Sequence, residues 1–131
     1  MRPTPALLAG LILGATIWLL SPTITGHAEP WDARDWYYPT ALIASGLLIG
    51  LATRRWTLLA ILGLYFGQAI IMAIPDGPGG NRAPWYMGAL VLAYFTTISL
   101  GTSLLVVTVR WLLSWRSSHA APSSSSPKTP S

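Results

Sequence analysis

The chain has 131 residues, of which 52% are hydrophobic and only 9% charged, whereas about a quarter of the residues in a soluble domain carry charge. That balance excludes a water-soluble globular fold, a disordered chain and a coiled coil. There is no cysteine, so disulfides, thiolate metal sites and cysteine nucleophiles are excluded as well.

The few charges are segregated. Residues 3–28, 36–53, 56–75 and 83–109 contain no Asp, Glu, Lys or Arg, and each window can supply the roughly 20 apolar residues that a helix needs to cross a bilayer. The pattern predicts an all-α, multi-pass transmembrane helix bundle with four spans at about 5–24, 36–53, 56–74 and 85–112.

The first span carries Ala6, Gly10 and Gly14 at four-residue spacing. A rival reading takes Arg2, the apolar run 6–20 and Gly26-His27-Ala28 as a cleavable signal peptide, which leaves three spans. The small-residue ridge favours retention, because a discarded segment has no packing partner to match.

The loop that follows joins Glu29, Asp32, Arg34 and Asp35 to Trp31, Trp36, Tyr37 and Tyr38, and Arg82 can reach it from the second outer loop. Its carboxylates, with His27, are of the type that holds hard cations. Their spacing matches no EF-hand or zinc signature, so neither metal nor cofactor is expected. Asp35 is expected to cap the second helix, with Trp36, Tyr37 and Tyr38 anchoring it at the membrane–water interface.

The second span bears Gly46 and Gly50 and stops at Arg54-Arg55. The third bears Gly63 and Gly67 and ends at Pro75-Asp76-Gly77, a strong helix breaker. In the fourth, Ala93, Thr97 and Gly101 form a further small-residue ridge. Such ridges let helix backbones approach closely inside a bilayer, where water cannot drive association. The fourth span continues past Arg110 to Arg116 and is too long for the bilayer core, so its last turns leave the membrane. Residues 1–116 thus form a membrane domain, and the Ser- and Pro-rich segment 117–131 is read as a disordered cytoplasmic tail.

Basic residues in short loops stay on the cytoplasmic side. With four spans, Arg2, Arg54, Arg55, Arg110, Arg116 and Lys128 share one face, while Arg34, Arg82 and all the acidic residues lie on the other. Both termini are therefore expected to be cytoplasmic, in a cell (plasma or inner) membrane. The net charge of +4 reads as topology, and no nucleic-acid partner is expected. Trp18, Trp56, Trp85, Trp111 and Trp115 lie near span ends, as an interfacial aromatic belt requires.

No acid or base lies within the core of a span, which argues against proton-coupled transport. His27 and His119 fall on opposite sides, and no nucleophile motif is present, so the chain is expected not to be an enzyme. The first reading is a non-enzymatic accessory or structural membrane component that acts by helix packing, with the lipid bilayer, itself or a larger membrane complex as partner. The alternative is a small-solute channel or transporter, monomeric or oligomeric, with a polar path along Tyr65, Gln68, Thr96, Ser99 and Ser103.

Overall fold

The structure, a computed structural model, describes residues 2–27, 29–31, 36–74 and 85–119. Among these are four helices and no strand: α1 (Pro3–Thr25), α2 (Tyr37–Ala52), α3 (Thr57–Met72) and α4 (Trp85–His119). α1 and α4 are each long and apolar enough to cross a membrane, whereas α2 and α3 are apolar but only 16 residues each, about 24 Å at 1.5 Å per residue.

α1 opens on Pro3, where the missing N–H removes no helical bond. It runs through Pro22 and stops at Gly26, whose φ of 74° is left-handed and suits glycine. The Gly26 N–H donates to Pro22 O at 3.1 Å, and the last turn is knitted by Thr25 Oγ1 to Ser21 O at 2.9 Å and Ser21 Oγ to His27 O at 3.0 Å.

The start of α2 is described only from Trp36 onward. Its N-cap position falls on Trp36, with no side-chain capping bond, and Asp35 lies outside the described residues. At the other end, the N–H and the hydroxyl of Thr53 each donate to Ile49 O at 2.8 Å. The chain then reverses within 53–56, closed by a bond from the Thr57 hydroxyl to Thr53 O.

α4 is one unbroken helix of 35 residues. It includes 117–119, which the sequence assigns to the tail; residues 120–131 lie outside the described set. No Gly or Pro interrupts 102–121. Ser114 and Ser117 also spend their hydroxyls on helix carbonyls, at 2.8 Å to Trp111 O and 3.2 Å to Leu113 O, so neither breaks the helix.

The principal contacts pair helices that are not neighbours in sequence: α1 with α3 and α2 with α4, the pairs joining chiefly through α3 and α4. Both pairs are parallel. Gly10 lies against Ala60 and Gly14 against Leu64, while Gly46 lies against Ser99 and Gly50 against Ser103.

Polarity is distributed inversely to that of a soluble protein. Ser21, Ser45, Thr57, Gln68, Thr96, Ser99 and Ser103 are buried, while large apolar side chains such as Ile12, Leu48, Leu58 and Leu105 are exposed, and every helix has such exposed groups.

Candidate functional site

Two seams of close backbone contact dominate the interior. In the α1–α3 seam, a Cβ placed on Gly10 would lie 1.8 Å from Ala60 O, and one on Gly14 would lie 2.2 Å from Leu64 O. The relation is reciprocal, because Gly63 and Gly67 would set a Cβ 2.2 Å from Leu7 O and 2.1 Å from Leu11 O. Each glycine faces a carbonyl of the opposite helix, and only glycine, with a second hydrogen where other residues carry Cβ, lets the backbones come so near, a geometry that suits Cα–H···O contacts.

The α2–α4 seam is looser. Cβ atoms on Gly46 and Gly50 would fall 2.6 Å from Ser99 O and 2.9 Å from Ser103 O. Here α4 contributes serines, and Ser99 Oγ donates across the seam to Leu42 O at 2.7 Å.

The ridge expected on α4 is not the one that packs within the chain. Ala93, Thr97 and Gly101 are on its exposed face, and a Cβ on Gly101 would meet nothing within 4 Å. The buried stripe is Leu92, Thr96, Ser99 and Ser103. Serine is small enough for close approach and adds a hydroxyl that bonds a facing carbonyl, which Gly and Ala cannot do. Ser99 and Ser103, expected from the sequence to line a polar path, are thus the small residues of this seam.

The residues expected to line a polar path are divided among different contacts. Gln68 Oε1 accepts from Tyr38 Oη at 2.7 Å, and its Nε2 donates to Leu64 O at 3.4 Å. Thr96 Oγ1 donates to Leu92 O at 2.7 Å, Ser103 Oγ donates to Ser99 O, and Tyr65 Oη reaches Ala89 O at 3.4 Å. Each of these polar groups is already engaged, largely with backbone carbonyls.

Tyr37 and Tyr38 also depart from their expected place at the interface. Trp36 is 71% exposed, but both tyrosines are buried, and Tyr37 Oη donates to Ile17 O at 2.7 Å. They tie the start of α2 to α1 and α3. Trp18, expected in the interfacial belt, is wholly buried. It begins a run of edge-to-face contacts: Trp18 to Trp31 (5.0 Å between centroids), Trp31 to Tyr38 (6.3 Å) and Tyr38 to Phe95 (5.0 Å). Such pairs contribute about 0.5–1.5 kcal/mol each beyond the area they bury. Trp31 Nε1 donates to Glu29 Oε2 at 2.9 Å, while Trp18 Nε1 is buried with no partner among the described residues.

Of the outer-loop cluster, only Glu29 lies among the described residues; Asp32, Arg34, Asp35 and Arg82 lie outside them. At the opposite end, Arg110 Nη1 donates to Gly50 O at 3.3 Å and Leu51 O at 2.5 Å. It thereby satisfies carbonyls that the C-terminus of α2 leaves free.

No protein-family model matches the chain, and no curated protein or solved structure matches it at a significant level.

Proposed function

We propose that the chain is a four-span integral protein of the cell membrane with both termini cytoplasmic, and that it serves as a non-enzymatic accessory or structural component through helix packing. The observation that carries this reading is the inverted polarity: hydroxyls and a glutamine inside, leucines and isoleucines outside on every helix. In water, that surface would aggregate; in hydrocarbon, it is the solvated state.

The short helices α2 and α3 fall a few ångströms below the roughly 30 Å core, a mismatch that local thinning and snorkelling absorb at modest cost. Their ends carry Trp36, Arg54, Arg55 and Trp56, which suit that role. The orientation is supported by the gathering of Arg2, Arg54, Arg55 and Arg110 at one end of the parallel pairs. Retention of the first helix is supported by its seam with α3, because cleavage would leave the Gly63 and Gly67 faces bare. Packing is favoured over a solute path because Gln68, Thr96 and Ser99 already have partners within the helices.

The experiment is a set of reporter fusions in the 27–31 loop, in the 53–56 turn and at the C-terminus. The loop is expected outside and the other two inside; an external C-terminus refutes the topology. Mild-detergent purification is expected to retain a stoichiometric partner or a defined homo-oligomer, and proteoliposomes are expected to stay tight to ions and small solutes. Specific flux of one solute would replace the packing reading with a transport one.

A further inference from the structure

We propose that the basic end of the bundle binds the headgroup phosphate of an anionic phospholipid between Arg54, Arg55 and Arg110. This rests on the membrane reading above and adds a ligand to it.

Tertiary packing assembles the arginines. Arg110 is distant in sequence from α2, yet its Nη1 lies on the Gly50 and Leu51 carbonyls, and Arg54 and Arg55 are exposed only three and four residues beyond Leu51. Both bonds use one nitrogen, so the remaining donors of the Arg110 guanidinium are available to another acceptor. The α2 carbonyls carry only fractional negative charge. The acids of the chain, Glu29, Asp32, Asp35 and Asp76, all fall in the two segments that connect the opposite helix ends. Three arginines therefore lie at one end of the α2–α4 pair, with no Asp or Glu beside them among the described residues, and an external anion relieves their repulsion. No side chain caps the N-terminus of α3, which begins two residues after Arg55 and adds positive potential on the same side.

The surroundings select a lipid over a soluble anion. Leu51 and Leu58, 58% and 68% exposed, flank the arginine turn, and Trp56 and Trp111 adjoin the basic residues in sequence. Exposed leucines, tryptophans and arginines within one short stretch are the groups that suit an acyl chain, an interface and a phosphate. Arginine also offers phosphate a bidentate fork that lysine lacks.

The test uses the full-length protein in mild detergent, with phosphatidylglycerol and phosphatidylcholine of identical chains supplied equally and bound lipid counted by native mass spectrometry. Phosphatidylglycerol is expected to be retained by tenfold or more, at roughly fivefold per arginine. Arg54→Gln with Arg55→Gln should lower the preference about 25-fold, leaving at most the roughly fivefold that Arg110 supplies, Arg54→Lys with Arg55→Lys should keep part of the preference, and Arg116→Gln should leave it unchanged. If the double glutamine variant does not accumulate, Arg55→Gln alone should still lower the preference severalfold. Equal retention of both lipids, an unaltered preference in the glutamine variants, or thermal stabilisation by inorganic phosphate equal to that by phosphatidylglycerol overturns the site. Carbonate extraction separates the two readings: release of the protein refutes membrane integration itself, whereas a carbonate-resistant protein without lipid preference refutes only the site.

Discussion

Replacing Gly10 by alanine adds one methyl group where no space exists. Its carbon would sit 1.8 Å from Ala60 O, 2.8 Å from Ala60 C and 2.9 Å from Leu64 N, all backbone atoms that no rotamer change can move. The helices must part by roughly 1.2 Å to reach even the tightest contact that real Cβ atoms make, and a gap of 0.5–1 Å already forfeits a quarter to a half of each dispersion contact along the seam. Overpacking of this kind costs about 1–3 kcal/mol or somewhat more, and alanine recovers up to about 1 kcal/mol through its better helix propensity. A net loss of about 2 kcal/mol is expected, lowering the folded-to-unfolded ratio about thirtyfold.

The same arithmetic orders the other glycines. Gly14, Gly63 and Gly67, each with a carbonyl oxygen at 2.1–2.2 Å, should follow Gly10. Gly46 at 2.6 Å and Gly50 at 2.9 Å should lose less, and Gly101→Ala should be neutral or slightly stabilising because nothing lies within 4 Å. The assay is reversible unfolding of the purified full-length variants in mixed detergent–SDS micelles, followed by far-UV circular dichroism. If Gly10→Ala unfolds with Gly101→Ala, or if α2 glycines prove more sensitive than those of α1, the seam geometry is wrong.

Further outcomes follow from single contacts. Tyr38→Phe deprives Gln68 Oε1 of its donor and should cost about 1–2 kcal/mol by the same unfolding assay, while Tyr38→Phe made in a Gln68→Leu background should cost clearly less. Ser99→Ala removes the bond to Leu42 O and should cost about 0.6–1.7 kcal/mol. Ser103→Ala, which loses only a bond within its own helix, should be close to neutral. Ser99→Leu should be far worse than Ser99→Ala, since its extra bulk meets the Gly46 backbone; equal effects in circular dichroism melts would show that α2 and α4 do not approach there. Intact-mass measurement of membrane-purified protein should return a chain that still contains α1, and a product beginning near residue 29 would mean that the seam never forms.

What the sequence determined by itself was the number of helices, their places and the segregation of charge. These are one-dimensional properties: a charge-free apolar window either reaches helical length or does not, and Pro, Gly and Arg punctuate it locally. The windows at 5–24, 36–53, 56–74 and 85–112 each coincide with a helix to within a few residues, except that α4 runs on to His119.

Only the tertiary structure decided which faces meet. α4 offers two small-residue stripes, Ala93, Thr97 and Gly101 on one side and Ser99 and Ser103 on another, and spacing alone cannot rank them. The choice falls to Ser99 because its hydroxyl finds Leu42 O, an acceptor 57 residues away that no local pattern encodes. The same holds for Tyr37 and Tyr38, which resemble interfacial anchors until Ile17 O and Gln68 are brought opposite them, and for Arg110, whose acceptors on α2 exist only once the parallel pair has formed. Apolar windows are local and are written directly into the chain, whereas close packing is a property of pairs of surfaces and is settled only when both are in place.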